Sequence, residues 1–231
     1  MNQKRVNFEI IRNQYRRRGV DNVRLTQSSL LLIQSIDPNK TVYSFDVLES
    51  QVANLLPQEI RLNINDEFIT TNIGVYLYGN IGFGDPVSKQ PIMLSYSPFE
   101  TTADFLSVAP LYDGQLKIGV NNIIYVEKWD LKKHNFVPRT QFDSYDAGLT
   151  IQASQPSMDY EHNGMFAADP MVTLSGAKKN EITISLAQAL KSATGTWNSV
   201  NGGVATPITI TIDKIAIFLR GLNAQNASKF Q

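Results

Sequence analysis

The sequence predicts an all-β protein, an antiparallel sandwich of two sheets with one or two short helices. Residues 60–64, 182–186 and 208–212 alternate apolar and polar side chains with period two. Because side chains on a strand point to opposite faces, each segment is typical of a strand with one buried face. The length of 231 residues allows one substantial core. The predicted core contains Ile60, Leu62, Ile64, Val75, Leu77, Ile118, Ile184, Ile210 and Ile217.

The N-terminus is predicted to form a basic arm over residues 1–21, followed by one sandwich domain over residues 22–231. Residues 1–25 hold seven basic and two acidic residues, a net charge of +5, and the remainder carries −5. Phe8, Ile11 and Tyr15 have helical spacing, so the arm is either a short amphipathic helix or an extended segment that orders only in an assembly. Because residues 1–18 have few apolar groups, we expect them to be ordered mainly by contacts outside their own sandwich. The basic residues of the arm are Lys4, Arg5, Arg12, Arg16, Arg17 and Arg18.

The next part of the chain predicts three strands and one helix. Strands are expected at residues 22–26, 30–35 and 41–45, the last two separated by a turn at residues 37–40. Asp46 and Glu49 have the spacing of a capping box, and the apolar residues after them suit a helix that ends before Pro57.

The middle of the chain predicts strands at residues 59–64, 68–78 and 92–96. Residues 79–91 contain three glycines and two prolines, which indicates a loop. Residues 101–108 suit a helical turn. Asn121 and Asn122 separate two strands at residues 115–120 and 123–129, a compact hairpin signal.

The C-terminal third predicts a second hairpin, of residues 171–174 with 181–186, then a helical turn at 187–193 and a loop at 194–207. The apolar residues of the last strand change phase near Asp213 and Lys214, which indicates a β-bulge or a bend between sheets. Nine or ten strands without an internal repeat or a linker favour a single sandwich of jelly-roll type.

Catalytic and metal-binding residue patterns are absent from the sequence. It has no cysteine, and its two histidines, His134 and His162, lie 28 residues apart. The acids near His162 are interpreted as a solvated loop rather than a calcium site. A carboxylate pair for glycoside hydrolysis is set by space rather than by sequence. We therefore predict no metal, no cofactor and no enzymatic activity.

Binding and assembly remain the expected functions. Asn and Gln together number 33, more than the 21 acidic or the 21 basic residues, as expected for wet interfaces. The region 130–169 loses regular periodicity and is rich in aromatic residues. We expect it to supply intersubunit contacts through Trp129, His134, Tyr145 and Tyr160, because aromatic side chains are enriched at interfaces.

Four stretches of the chain resemble the jelly-roll coat proteins of icosahedral viruses, in particular those of tailless phages of Bacteroidetes-type bacteria. They are the arm from Lys4 to Arg18, the amide-rich block from Gln58 to Leu77, the stretch from Tyr112 to Asp130, and the closing strand to Leu219-Arg220-Gly221-Leu222-Asn223-Ala224-Gln225-Asn226. The resemblance implies a capsid subunit, made in the host cytoplasm and located in the virion, that self-assembles with itself and other virion proteins. It implies that the arm faces the genome, an internal membrane or a neighbouring subunit.

Two other readings of the sequence stay open. A carbohydrate-binding or adhesion module would use Trp129 and Trp197 as stacking platforms. A β-sandwich glycoside hydrolase would assemble its carboxylates in space.

Overall fold

The computed structural model describes residues 8–20, 23–51, 55–83, 89–98, 102–136, 164–201 and 204–227. Within these residues, two short α-helices and ten strands form the fold. The helices are α1 (Phe8–Arg17) and α2 (Thr102–Val108). The strands are β1 (Arg24–Ser35), β2 (Val42–Phe45), β3 (Glu67–Phe83), β4 (Lys89–Leu94), β5 (Gln115–Val120), β6 (Ile123–Asp130), β7 (Met165–Ser175), β8 (Asn180–Ser185), β9 (Ala193–Asn201) and β10 (Val204–Gln225).

The strands form two antiparallel sheets. The larger sheet is built on the central pair β10 and β3: β1 and β9 pair with β10 on one side, and β7 and β4 pair with β3 on the other. The smaller sheet has the order β2-β8-β5-β6. The chain moves repeatedly between the two sheets, which face each other across one core. The predicted all-β sandwich is confirmed.

Apolar residues from both sheets fill the core. Val75, Leu77 and Ile217 of the larger sheet and Ile118 and Ile184 of the smaller one are fully buried in the same cluster. Leu62 is also buried there, and Ile210 is partly buried and packs against the cluster. These seven predictions of core residues agree with the structure, because each lies on the inward face of its segment.

The predicted strand at residues 59–64 is wrong. The segment crosses the edge of the larger sheet and makes only isolated bridges, between Ile60 and Leu31 and between Leu62 and Leu48. Ile60 and Ile64 are therefore 47% and 56% exposed and are not core residues. In this segment Arg61 is buried instead, and its guanidinium forms an ion pair with Glu59 at 2.6 Å.

The predicted helix at residues 46–56 is also wrong over its described part. A single 3-10 turn, Glu49–Gln51, replaces it. The amide of Leu62 donates to the carbonyl of Val47, and the amide of Glu49 donates to the carbonyl of Leu62. Because these backbone groups already pair with a distant segment, they cannot form the hydrogen bonds of a helix.

Both predicted glycine-rich loops contain strands. β3 continues to Phe83 and pairs with β4, and β9 pairs with β10 from Ala193 with Ile212 to Asn201 with Val204. Gly79 lies inside β3 because the backbone of β10 approaches it closely: a Cβ atom there would lie 1.8 Å from the carbonyl oxygen of Thr211. Glycine here marks a close approach between strands rather than a loop.

The hairpin of β5 and β6 is confirmed, since Asn121 and Asn122 have φ angles of 52° and 66°, as a type I′ turn requires. The bulge near Asp213 is also confirmed, because the register between β10 and β3 shifts between Ile212 and Lys214. The second predicted hairpin is wrong: β7 and β8 belong to different sheets, and the chain between them crosses the sandwich. The helical turn is confirmed at α2 but does not form at residues 187–193.

Helix α1 packs on the outer face of the larger sheet. Its buried residues, Ile11 and Tyr15, contact a cluster that includes Ile69 of β3 and Leu222 of β10. The expectation that residues 1–18 are ordered mainly by contacts outside their own sandwich is therefore wrong for residues 8–18, and residues 1–7 lie outside the described part. The contacts of Ile11 and Tyr15 with the sheet place this helix within the same chain's fold. The domain boundary at residue 21 stays a prediction.

The C-terminus of α1 is closed by a Schellman motif. The amide of Gly19 donates to the carbonyl of Arg16, and the amide of Val20 donates to the carbonyl of Tyr15. Gly19 has a φ of 80°, in the left-handed region. Val20 and Tyr15 lie in the same buried cluster, which supplies the apolar contact that accompanies this motif.

We expect Gly19→Val to destabilise the protein by about 1–2 kcal/mol, because a side chain at this φ meets its own backbone. No neighbouring atom lies within 4 Å of a Cβ atom at this position, so crowding adds nothing. Urea unfolding measures the change. Gly19→Asn is the matched control and should lose less, because Asn tolerates the left-handed region. Equal stability of wild type and Gly19→Val would contradict the role of the φ angle.

Candidate assembly surfaces

A buried carboxylate attaches α1 to the sheet. Glu67, at the start of β3, is 1% exposed. The hydroxyl of Tyr15 donates to it at 2.7 Å, and the guanidinium of Arg18 donates to both carboxylate oxygens at 3.1 and 3.2 Å. A buried carboxylate is stable only when such donors surround it. Burial and the neighbouring Glu67 raise the pKa of the Tyr15 hydroxyl, which therefore stays a neutral donor.

The outer side of α1 is basic. Arg12, Arg16 and Arg17 are exposed to solvent, while Arg18 is partly exposed and bonded to Glu67. Lys4 and Arg5, the other basic residues of the predicted arm, lie outside the described residues. Arg17 also lines an open groove of about 540 Å³ between α1 and the part of β7 that contains Pro170 and Met171. Helix α1 thus exposes three arginine side chains while its buried side is held against the larger sheet.

The predicted contact residues Trp129 and His134 bond to each other. The indole N–H of Trp129 donates to Nε2 of His134 at 2.7 Å. Nδ1 of the imidazole must then carry the proton, and it donates to the carbonyl of Gly164 at 2.6 Å. The ring of Phe166 meets His134 edge-on with centroids 5.2 Å apart. His134 therefore joins the end of β6 to the start of β7.

His134 is an internal residue, which corrects its predicted role at a subunit contact. Its exposed fraction is 0% because both ring nitrogens and the ring face are occupied within the chain. Burial lowers the pKa of His134 to about 4, so it is neutral at pH 7. Trp129 is only partly buried, and its predicted contact stays a prediction. Tyr145 and Tyr160 lie outside the described residues.

A lysine covers the indole of Trp129. Nζ of Lys133 lies 3.3 Å from the centroid of the Trp129 ring and 5.9 Å from that of Phe166. Such a contact between a cation and an aromatic face is attractive. Desolvation lowers the pKa of the Lys133 ammonium. One face of the Trp129 ring is thus covered by the Lys133 ammonium.

The sheet edges differ in how well they are protected from pairing with other strands. β4 and β7 each contain a proline, Pro91 and Pro170, and β2 has only four residues. The edge of β1 is bridged at Leu31 by Ile60. Prolines, short strands and covering segments are the usual means of preventing association through an edge.

Strand β6 has the most apolar edge in the described part of the chain. Ile123, Ile124 and Tyr125 are consecutive and 58%, 52% and 43% exposed. The register with β5 shifts at Tyr125, where β6 has one extra residue, and again between Val126 and Trp129. These bulges hinder continuous backbone pairing, so we expect contacts here to use side chains. Large exposed apolar patches mark interaction sites.

The described residues contain no cluster of three or more His, Asp or Glu side chains that could hold a metal ion. In that same part of the chain, no helix has the length and hydropathy needed to cross a membrane. The features that sequence reasoning missed are the role of Glu67, the Lys133 contact and the exposed β6 edge. Of these, only the apolar run at residues 123–125 leaves a signal, because it interrupts strict alternation.

We expect Tyr15→Phe to destabilise the protein by about 1–2 kcal/mol, because it removes one donor from the buried Glu67 carboxylate. Thermal or urea unfolding measures the loss. Tyr125→Phe is the control, since Tyr125 is exposed on β6 and should tolerate removal of its hydroxyl. Equal effects of the two variants would contradict the role of Glu67 in anchoring α1.

The stability is expected to fall as the pH falls from about 6.5 to about 4, by about 3 kcal/mol from His134 alone. The reason is that unfolding lets His134 regain its ordinary pKa, so the unfolded chain binds a proton that the folded chain does not. Urea unfolding over this pH range measures the slope. His134→Gln should remove this contribution, whereas His162→Gln should retain it. An unchanged slope in His134→Gln would contradict the burial of a neutral imidazole.

Comparison with known proteins identifies no relative: no family model, no curated protein and no solved structure matches this chain.

Proposed function

We propose that the protein is a structural subunit of a virion, a capsid protein that assembles into a closed icosahedral shell around the viral genome. It would be made in the host cytoplasm and located in the virion. Its partners would be further copies of itself and other virion proteins. Neither catalysis nor a cofactor forms part of this function.

The observation that carries the proposal is the pairing of the strands. Without β4 and β9, eight strands remain, and they pair first with last: β1 with β10, β2 with β8, β3 with β7, and β5 with β6. The pairs β10·β3 and β8·β5 then join these ribbons into two sheets. This order is expected when one long antiparallel ribbon rolls up, and it supports the jelly-roll connectivity that capsid and lectin domains use.

The surfaces of the sandwich suit repeated contacts with identical neighbours. Most edges of the described sheets are short, bridged or interrupted by proline, whereas β6 presents three large apolar side chains. A shell needs a few directed contacts rather than uncontrolled edge pairing, because its symmetry multiplies each contact many times. The basic residues of α1 would face the genome, an internal membrane or a neighbouring subunit.

The structure gives less support to a carbohydrate-binding or adhesion module. A sugar-stacking tryptophan needs a free ring face, and Lys133 covers one face of Trp129 while His134 accepts its N–H. The side chain of Trp197 lies outside the described part. A glycoside hydrolase would need two carboxylates separated by about 5–9.5 Å across a sugar-binding cleft.

Electron microscopy of the purified protein, and of particles from its source, tests the proposal. We expect regular shells, or rings that correspond to their vertices. The control is a glycan array probed with the same preparation, together with an assay for sugar release. A protein that remains monomeric, is not found in particles and binds glycans would overturn the capsid proposal.

A further inference from the structure

We propose that His134 is an acid-sensitive latch, which releases the first residues of β7 from β3 when its imidazole becomes protonated. The released residues are Gly164 to Ala167, and we refer to them as the latched segment. The remainder of β7 stays paired with β3. The inference concerns a motion within one subunit and does not depend on the proposed function.

Both hydrogen bonds of the His134 imidazole require its neutral form. An indole N–H can only donate, so Nε2 of His134 must accept the bond from Trp129, at 2.7 Å. A carbonyl can only accept, so Nδ1 must donate to Gly164, at 2.6 Å. An imidazolium carries a proton on both nitrogens. Protonation would therefore set two N–H groups against each other at Trp129, so the closed arrangement excludes the charged ring.

The groups around the imidazole do not compensate for a second proton. Lys133, on the same 3-10 turn, opposes the positive charge, and Asp130 at the end of β6 favours it less strongly. β7 faces the ring with the phenyl group of Phe166 and the carbonyl of Gly164. Tyr76 of β3, which lies beside Gly164, stays neutral because burial raises its pKa to about 12. Burial has the largest effect on the imidazole and lowers its pKa to about 4.

The latched segment can separate from β3 without the rest of its strand. β7 pairs with β3 in two runs, residues 165–167 and residues 172–175, and the register shifts between them. The intervening residues 168–171 of this described strand have no partner on β3. In the second run, Val172 and Leu174 are 0% and 1% exposed and belong to the main core. The core therefore holds the second run, whereas the first run is a short pairing of three residues beyond a bulge.

The His134 ring makes two of the contacts that hold the latched segment. Gly164 accepts a hydrogen bond from it, and the ring of Phe166 meets it edge-on with centroids 5.2 Å apart. The backbones also approach closely, since a Cβ atom on Gly164 would lie 3.0 Å from the carbonyl oxygen of His134. Met165 adds a further contact, in a cluster with Tyr76. Loss of the two contacts to the ring would leave the segment with little besides its three strand pairs.

Acid therefore favours opening of the latched segment. In the closed arrangement the pKa of His134 is about 4, and in a solvated, open arrangement it returns to its ordinary value of 6.5. The open form then binds a proton that the closed form does not. The opening equilibrium rises by about tenfold for each pH unit as the pH falls from about 6.5 to about 4. Opening uncovers the edge of β3 at residues 72–74 and the indole N–H of Trp129.

Native-state amide hydrogen exchange of the full chain, at pH 7 and pH 4.5 and at several low urea concentrations, tests the latch. After correction for intrinsic exchange rates, the opening equilibrium of residues 165–167 should rise by about fiftyfold between the two pH values. At pH 4.5 it should exceed that of residues 172–175 by about tenfold or more. Global unfolding shares the pH dependence but exposes far more surface. Opening of residues 165–167 should therefore be nearly independent of urea, while exchange of residues 172–175 should accelerate with urea.

Two variants separate the opposed N–H groups from burial alone. His134→Gln places a neutral side chain that can both accept and donate, so opening of residues 165–167 should lose its pH dependence. Trp129→Phe removes the opposed N–H and keeps an aromatic ring, so the pH dependence should become weaker than in the wild type without disappearing. His162→Gln changes the other histidine of the chain and is the matched control, which should keep the wild-type dependence.

Either of two results would overturn the latch. If residues 165–167 and 172–175 open with the same equilibrium constant and the same urea dependence at pH 4.5, His134 acts on global unfolding alone. If His134→Gln keeps the wild-type pH dependence at residues 165–167, another group is titrating. Urea unfolding at pH 7 shows that each variant is folded, and a His134→Gln chain too unstable to measure leaves Trp129→Phe to decide: an unchanged pH dependence in that variant also overturns the inference.

Discussion

The antiparallel pairing of β3 with β10 is the constraint on which the rest of the structure depends. Both strands are much longer than the usual strand, with 17 and 22 residues. Every other strand of the larger sheet is attached to one of them. Their inward residues, such as Val75 and Ile217, form the floor of the core against which the smaller sheet packs. Register shifts near Asp213 and Gly221 let so long a ribbon bend without losing its pairing.

The long central pair of β3 and β10 also determines how many outer strands the larger sheet has. Because β3 and β10 extend beyond the length of any single neighbour, each of their outer sides carries two shorter strands rather than one. Three of these outer strands are interrupted or bridged: β4 contains Pro91, β7 contains Pro170, and β1 is bridged at Leu31. In the smaller sheet the strands follow one another in a single row, and its edge strand β6 exposes Ile123, Ile124 and Tyr125. The exposed apolar residues of β6 thus lie on the sheet that does not contain the long pair.

The fold class could be predicted because the alternation of apolar and polar side chains arises within a single strand, from one face toward the core and one toward solvent. The hairpin at Asn121 and Asn122 and the bulge at Asp213 could be predicted because those signals are also local. Prediction failed where distant backbone groups compete with local preference, as at Val47, whose carbonyl bonds to Leu62 rather than within a helix. Ile60 and Ile64 follow the apolar alternation of a strand. Their segment crosses the edge of the larger sheet, however, and leaves both side chains exposed.

The candidate site was predictable in its chemistry but not in its arrangement. The basic residues of α1 were evident from composition, whereas the attachment of the helix depends on Glu67, 49 residues beyond Arg18. His134 was predicted to lie at an intersubunit contact, but its position inside the chain depends on Gly164 and Phe166, which a single sequence cannot place beside it.

The pairing of Arg24 with Gln225 has a consequence for synthesis of the protein. The strand at the middle of the larger sheet, β10, is translated after every other strand described here. Until β10 leaves the ribosome, β1 and β3 have no common neighbour, and the larger sheet cannot close. Contacts of such large sequence separation form slowly. A translation product that ends before β10 therefore lacks the centre of its larger sheet rather than an edge, and neither β1 nor β3 has its main pairing partner.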